Sequence, residues 1–189
     1  MANDLWQTPD YLLEAARATL GRIDLDPASS ADANERVKAT AYYTEQCSGL
    51  YRPWHMQLYA TDTAYGASRV WLNPPYSRGN VARFTDKLIA EYDANNVHSA
   101  LMLVNSDTGT KWAHRLLGRF PVCFLHRRVA FVDPATGEQI KGNDRPQAVF
   151  YAGAGITRFA AVWADLGVVM AKVQPATDGQ PDDLPEKYI

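Results

Sequence analysis

The 189-residue sequence has few cysteines, no long apolar run and no excess of basic residues. Cys47 and Cys123 lie far apart and outside any metal-ligand spacing, which favours two free thiols over a disulfide framework or a zinc site. No apolar run approaches the length of a membrane span, and the N-terminus has no signal-peptide pattern. The four histidines form no metal-like cluster. We therefore expect a cytoplasmic protein with one domain and no bound metal.

Charge is distributed unevenly along the chain although the net charge is only −2. Residues 1–62 hold nine acidic and five basic side chains, whereas residues 111–145 hold seven basic and three acidic ones. The overall balance argues against a protein that coats nucleic acid through a uniformly basic surface. The basic half alone could bind a polyanion, and a mixed solvated surface is the alternative.

Helix-like and strand-like segments alternate along the chain. Apolar periodicity predicts helices at residues 10–20, 81–93 and 110–117. Thr8 is the expected N-cap of the first helix. Short apolar runs predict strands at residues 22–25, 70–72, 98–104, 122–125, 129–132 and 148–151. This alternation predicts an α/β fold with a mostly parallel sheet, in which the run 98–104 is typical of a central parallel strand.

The last residues differ in composition from the rest of the chain. Residues 174–189 contain three prolines and four acidic side chains against a single lysine. Such a segment has little apolar surface to bury. The sequence therefore predicts one folded domain of residues 1–173, followed by a disordered tail.

Two loops follow predicted strands at positions where α/β sheets bind ligands, namely D-P-A-S-S at 26–30 and N-P-P-Y-S at 73–77. In the second loop, the side-chain carbonyl of Asn73 and the backbone carbonyl of Pro74 are acceptors in a segment stiffened by two prolines. Tyr76 adds a flat aromatic face. Together they suit an amino group on a planar conjugated system, and adenine, cytosine, guanine or a glutamine amide all fit.

The same corner suggests a mechanism. A conjugated amine is a poor nucleophile because its lone pair is delocalised. Two fixed acceptors favour a pyramidal nitrogen with a localised lone pair, and this preference strengthens in the transition state. Asn73 is a neutral amide and cannot act as a general base, so the extra proton leaves after transfer, by way of solvent or a relay. The remaining requirement is an electrophile held in line with the lone pair.

These residues stand in a series of motifs that resembles a known family. W-Q-T-P, I-D-L-D-P-A-S, Y-Y-T, G-L-Y-R-P-W and V-W-L-N-P-P-Y-S follow one another, and M-L-V-N-S-D-T-G-T-K-W and R-R-V-A-F-V come later. Over residues 5–151 the chain is similar to the small phage Dam-type DNA N6-adenine methyltransferases. The resemblance implies a Rossmann-like fold with S-adenosylmethionine as cofactor and double-stranded DNA as substrate.

The resemblance also implies a role for each matching residue. Asn73, Pro74 and Tyr76 would bind and activate the adenine amino group, and Pro75 would shape the turn. The target adenine would flip out of the duplex and stack on Tyr76. The implied cofactor contacts are Trp6, Thr8, Pro9, Asp26, Pro27, Ala28 and Asn34. No metal is implied, because the methyl group is already activated on sulfonium. A phage-encoded enzyme of this kind would act in the host cytoplasm.

DNA contacts are expected from basic side chains in and around short loops. The candidates are Arg78, Lys111, Arg127, Arg128, Lys141 and Arg145. Target sequence would be read by loops at 77–83, 105–111 and 133–145. The chain departs from many methyltransferases in having no glycine in the loop after its first strand, D-P-A-S-S-A-D-A-N.

Other interpretations of the same residues exist. The same chemistry could act on cytosine N4, an RNA base or a protein glutamine, and a catalytically silent DNA- or partner-binding module could share the fold. Pro74-Pro75-Tyr76 alone could be a proline-rich ligand, although the apolar run before it argues against this. Asp26-Pro27 alone could be a simple turn, and Trp6 and Trp54 could be core aromatics.

Overall fold

The computed structural model describes residues 6–57, 65–77, 79–140 and 143–173. The predicted tail 174–189 and two predicted DNA contacts, Arg78 and Lys141, lie outside these ranges. Within the described residues, no helix combines the length and the apolar character that crossing a bilayer requires.

Five helices and nine strands occur in the described parts of the chain. The helices are α1 (Asp10–Leu20), α2 (Ala31–Val37), α3 (Asn80–Asp93), α4 (Lys111–Leu117) and α5 (Ile156–Trp163). The strands are β1 (Leu25–Asp26), β2 (Ala41–Tyr42), β3 (Met56–Gln57), β4 (Tyr65–Gly66), β5 (Ser68–Leu72), β6 (Val97–Asn105), β7 (Val122–Leu125), β8 (Gln147–Ala152) and β9 (Gly167–Met170).

Seven of these strands form one mixed sheet with the order β2-β1-β5-β6-β8-β7-β9. The pairs β1–β2, β1–β5 and β5–β6 are parallel, whereas β6–β8, β7–β8 and β7–β9 are antiparallel. The α/β class is confirmed, but the prediction of a mostly parallel sheet is wrong. The chain passes from β7 to β8 without a helix in the described part of that connection, so β8 enters reversed, whereas a parallel pair needs a longer crossover.

The sequence did not reveal this reversal because every residue of β8 is buried. A strand with helices on both faces is apolar throughout, and its composition does not depend on the direction in which it runs. The strand β6 is central, as predicted from the run 98–104, but it has a parallel neighbour on one side and an antiparallel one on the other.

Two apolar cores lie on opposite faces of the sheet, because side chains alternate along each strand. In β6, Leu101 and Leu103 pack on the face that carries α1 and α5. Met102 and Val104 pack on the other face, together with Phe84 of α3 and with Leu116 of α4. The molecule therefore has three layers, with the sheet in the middle.

Local sequence accounts for most helix boundaries. The predicted helix 10–20 is confirmed and ends at Gly21, whose φ of 84° suits glycine. Ser30 and Thr110 accept hydrogen bonds from first-turn N–H groups at the starts of α2 and α4. The expected N-cap role of Thr8 is wrong: Pro9 occupies that position, and no side chain caps α1.

The predicted strand 129–132 is also wrong. This segment is irregular, and Val132 forms isolated bridges to Gln7 and Gln139. Its apolar residues have the composition of a strand because Val129, Phe131 and Val132 are buried. A loop that is buried against the N-terminal segment thus has the same apolar sequence pattern as a strand.

Candidate active site

Three neighbouring strands end at one edge of the sheet, and each end carries a polar side chain. Asp26 is the last residue of β1, Asn73 follows the last residue of β5, and Asn105 is the last residue of β6. These strands are parallel, so their carboxyl ends lie at the same edge. This is the edge at which open α/β sheets bind ligands.

The amide of Asn73 is held between two hydroxyl groups. Its Nδ2 donates a hydrogen bond to Thr8 Oγ1 at 3.4 Å. The Tyr76 hydroxyl donates to Asn73 Oδ1 at 3.3 Å, and it also lies 3.4 Å from the carbonyl oxygen of Leu103. The fold thus joins the W-Q-T-P and N-P-P-Y segments through side chains 65 residues apart.

Pro74 and Pro75 follow Asn73 where the chain leaves the sheet. Pro74 is buried and Pro75 is half-buried. Proline has a fixed φ and no N–H group, so this corner has few ways to rearrange. A few residues later, Gly79 has a φ of 72°, which turns the chain into α3.

Tyr76 is half-buried and lines a hollow of about 160 Å³. Among the residues that the structure describes, the others that line this hollow are Gly79, Val81, Ala82, Asn105, Asp107 and Trp112. Asn73 does not line this hollow, so the corner and the hollow meet only at Tyr76. Burial and the Asp107 carboxylate raise the pKa of the Tyr76 hydroxyl, which therefore remains protonated at neutral pH.

Asp26 places a buried carboxyl group at the same edge. The residue is only 3% exposed, and its Oδ1 accepts a hydrogen bond from the backbone N–H of Ala28 at 3.1 Å. Burial raises the pKa of Asp26 to about 7, although hydrogen bonds from Ala28 and Ser29 oppose the shift. The carboxyl is thus poised to lose its proton when a cation or a strong donor binds beside it.

The loop 26–28 rests on a glycine that the sequence analysis did not single out. A Cβ atom on Gly49 would lie 2.1 Å from the carbonyl oxygen of Pro27, so the backbones touch there. Trp54 is fully buried, and its Nε1 donates to the carbonyl oxygen of Gly49 at 2.8 Å. Trp54 is therefore a core aromatic that fixes this support. The motif G-L-Y-R-P-W contained the signal, since it pairs a glycine with a large aromatic.

The N-terminal segment packs along residues 129–132. Backbone hydrogen bonds of 2.9 Å join Gln7 and Val132 in both directions. The Trp6 ring lies 6.1 Å from that of Phe131 at a tilt of 34°. Thr8 and Pro9 are both buried beside α1. The segments W-Q-T-P and R-R-V-A-F-V, which are more than 100 residues apart in sequence, thus meet in space.

Asn34 lies in α2 and makes contacts of a different kind. Its Nδ2 donates to the carbonyl oxygen of Ala39, and its Oδ1 accepts from the N–H of Ala39. These two bonds hold the turn that leads from α2 to β2. They give Asn34 a structural role, and its contact with a cofactor stays a prediction.

The basic candidates within the described residues are all exposed: Lys111, Arg127, Arg128 and Arg145. Arg128 Nε donates to the backbone carbonyl of Asp144 at 3.0 Å. An Arg145 guanidinium nitrogen lies 3.4 Å from Oδ1 of Asp107, a residue that lines the hollow beside Tyr76. Arg145 therefore stands close to that hollow.

No group of three or more histidine, cysteine, aspartate or glutamate side chains that could hold a metal ion occurs in the part of the chain that the structure describes. The polar groups at the sheet edge are instead amide, hydroxyl, carbonyl and single carboxyl groups. Such groups suit an organic ligand with several hydrogen-bonding sites.

Comparison with known proteins identifies a family and two phage relatives. A model of the family described as DNA N-6-adenine-methyltransferase (Dam) matches residues 1–160. A protein of Escherichia phage T1 named DNA N-6-adenine-methyltransferase is 26% identical over 163 residues, which cover 78% of this chain and 61% of that protein. A protein of the same name from Haemophilus phage HP1 (strain HP1c1) is 28% identical over 147 residues, 76% of this chain and 75% of that protein.

The chain thus covers about three fifths of the length of the T1 protein. The family model, in contrast, extends over most of this chain, from the N-terminal segment through β8. That match includes every element of the sheet edge that carries Asp26, Asn73 and Asn105. The chain therefore belongs to the DNA N-6-adenine-methyltransferase (Dam) family.

Proposed function

We propose that this chain transfers a methyl group from S-adenosylmethionine to the N6 amino group of adenine in DNA. The observation that carries the proposal is the Asn73 amide, held between Thr8 and Tyr76 at the carboxyl end of β5. Family membership supports adenine as the acceptor and DNA as the substrate. A Rossmann-like arrangement of the three-layer fold is consistent with this activity.

In the proposed reaction, Asn73 and Pro74 act on the adenine amino group. An amide oxygen has two lone pairs, so Asn73 Oδ1 can accept from the amino group while it also accepts from Tyr76. The Pro74 carbonyl takes the second N–H, and the Tyr76 ring supplies the stacking surface. Because Tyr76 keeps its proton, its hydroxyl adds no negative charge beside the adenine ring.

The residues at the sheet edge fit S-adenosylmethionine as the methyl donor. The cofactor carries a sulfonium, an ammonium and hydroxyl groups, and the buried Asp26 carboxyl is the kind of group that such donors stabilise as a carboxylate. The residues that would hold it lie in the loop after β1 and in the N-terminal segment: Asp26, Pro27, Ala28, Trp6, Thr8 and Pro9. Asn34 is a weaker candidate. The cofactor supplies a methyl group activated for direct transfer.

A flipped adenine would enter beside Tyr76, where the hollow of about 160 Å³ opens. Base flipping is required because the amino group is out of reach inside a duplex. Trp112 and Asp107 border this hollow, and the exposed basic side chains of Arg127, Arg128 and Arg145 would contact the DNA backbone. Lys111, Arg78 and Lys141 remain candidates of the same kind.

A transfer assay tests the proposal. The protein is mixed with methyl-labelled S-adenosylmethionine and unmethylated DNA, and the DNA is digested to nucleosides. We expect the label in N6-methyladenine. Label in N4-methylcytosine would contradict adenine as the acceptor, and label in RNA or protein alone would contradict DNA as the substrate.

The Asn73→Ala variant tests the mechanism in the same assay. It removes one of the two acceptors for the amino group, so we expect a loss of transfer of about a hundredfold to a thousandfold. Folding should change little, since the Asn73 amide is only half-buried, and cofactor binding should weaken by no more than about threefold. Thermal unfolding and calorimetric titration of cofactor verify this. Near-complete activity of Asn73→Ala would contradict the mechanism.

A further inference from the structure

Thr8 does not perform the task that its position before a helix predicts. It is 5% exposed, yet α1 is capped at Pro9 without any side-chain hydrogen bond. Its hydroxyl instead receives the hydrogen bond from Asn73 Nδ2. The buried Thr8 hydroxyl thus makes no bond to the helix that follows it and contacts the Asn73 amide, which indicates a role in the candidate active site.

The two sides of the Asn73 amide have opposite chemistry. Only the carbonyl side can accept from the adenine amino group, whereas the NH₂ side would meet it donor to donor. The amide orientation therefore decides whether the corner binds the substrate or repels it. The hydrogen bonds of the surrounding groups set this orientation.

Tyr76 and Thr8 leave the orientation open when they act alone. Each hydroxyl can donate or accept, so either one can satisfy either side of the amide. The hydrogen of Tyr76 can also bond to the Leu103 carbonyl, which only accepts. If another acceptor takes the hydrogen of Thr8, however, Thr8 Oγ1 can only accept, and it must face the NH₂ side of Asn73.

We propose that Thr8 is a positioning residue that links the cofactor to the orientation of the Asn73 amide. A cofactor acceptor, such as a carboxylate oxygen, takes the Thr8 hydrogen. Thr8 Oγ1 then binds Asn73 Nδ2, and the Asn73 carbonyl faces the adenine amino group. This proposal rests on the proposed function, and it adds that cofactor binding prepares the corner for the substrate.

The first test measures kcat at saturating cofactor and DNA. Thr8→Val keeps the shape of the side chain and removes the hydroxyl, and we expect kcat to fall at least tenfold. Thr8→Ser restores the hydroxyl and should recover most of the loss. In an Asn73→Asp background the two carboxylate oxygens are equivalent, so orientation no longer matters, and Thr8→Val should lower kcat less than threefold. Equal losses in both backgrounds would overturn the proposal.

Thr19→Val is the matched control for burial. Thr19 is 6% exposed, and its Oγ1 accepts from Trp163 Nε1 at 2.9 Å, at the C-terminal end of α1. The Thr19→Val substitution also removes a buried hydrogen-bond acceptor, so it should lower thermal stability as Thr8→Val does. We nevertheless expect its kcat to stay within twofold of that of the unsubstituted protein. If Thr19→Val lowers kcat as much as Thr8→Val does, the effect of Thr8 is structural and the proposal fails.

The second test does not depend on turnover. Calorimetry gives the affinity for S-adenosylhomocysteine in the unsubstituted protein, Thr8→Val, Asn73→Ala and the double variant. We expect Thr8→Val to weaken binding about tenfold when Asn73 is present and about threefold or less when it is absent. Additive effects of the two substitutions on affinity would overturn the proposal. This test still decides if Asn73→Asp shows no turnover and the kinetic comparison cannot be made. The two substitutions could also have non-additive effects on S-adenosylhomocysteine affinity in a protein that methylates no adenine. That result would contradict the proposed function and leave the role of Thr8 intact.

Discussion

At the scale of single residues, Asp26 shows how burial sets the chemistry of the site. Its carboxyl is 3% exposed, and burial raises its pKa from 3.8 to about 7. At a pH between these two pKa values, the Asp26 carboxyl is protonated in the folded protein and ionised in the unfolded chain. The free energy of unfolding therefore decreases as pH rises from about 4 to 7, by up to about 4 kcal/mol for such a shift.

Asp26→Asn should remove this pH dependence in the ligand-free protein. The amide does not titrate and can still accept from the Ala28 N–H, so the variant should be about as stable as the unsubstituted protein near pH 3.5 and increasingly more stable up to pH 8. Thermal unfolding across this range measures the difference. The variant should at the same time bind S-adenosylmethionine at least tenfold more weakly. Parallel stability profiles would contradict the raised pKa, and unchanged affinity would remove Asp26 from the cofactor site.

At the scale of elements, the site depends on how one loop supports another. The loop 26–28 contains no glycine, but it packs against the backbone of Gly49, and Trp54 holds Gly49 in place. Glycine is thus required on the supporting loop, where two backbones approach closely.

Gly49→Ala should displace the loop 26–28, because the new Cβ meets the Pro27 backbone and not a flexible side chain. We expect a lower melting temperature and at least a tenfold loss of cofactor affinity. Gly167→Ala is the matched control, since its Cβ would lie 2.2 Å from the Phe124 carbonyl oxygen in the strand pair β7–β9. It should lower the melting temperature without changing cofactor affinity at temperatures where the variant is folded. Equal loss of affinity in both variants would contradict a specific support role for Gly49.

At the scale of the whole molecule, charge is separated along the chain, and the sheet topology decides where the charges meet. Arg127 and Arg128 lie just before the segment 129–132, which packs against the N-terminal segment, and Arg145 pairs with Asp107 beside the hollow. Although the net charge is −2, the side chains of Arg127, Arg128 and Arg145 thus form a basic region next to the proposed site of base flipping. Steering of DNA needs such a local region and not an overall positive charge.

Replacing Arg127 and Arg128 by glutamine should weaken DNA binding and flatten its salt dependence. Each lost phosphate contact should reduce the magnitude of the negative slope of log K against log salt concentration by about 0.9. Binding titrations at several salt concentrations measure this slope. Arg158→Gln is the control. Arg158 lies at the start of α5, just after the end of β8 that pairs with the start of β6, so it is at the sheet edge opposite Asn73. This variant should leave the slope unchanged. An unchanged slope in the double variant would place the phosphate contacts elsewhere.

The sequence by itself determined the features that depend on short-range chemistry. The helices α1, α3 and α4 follow from apolar periodicity and boundary residues, and the N-P-P-Y corner follows from two prolines after an apolar run. The ordered motifs identified the family, which the family model confirms. Each of these depends on a few neighbouring residues, whose preferences act locally whatever the rest of the chain does.

Only the tertiary structure decided the direction of β8, the irregular path of residues 129–132 and the partner of Thr8. A fully buried strand has the same composition in either direction, and a buried loop has the composition of a strand. A hydroxyl before a helix fits a cap as well as it fits a contact 65 residues away. Packing between distant segments selects among these options, and such packing leaves no local pattern in the sequence.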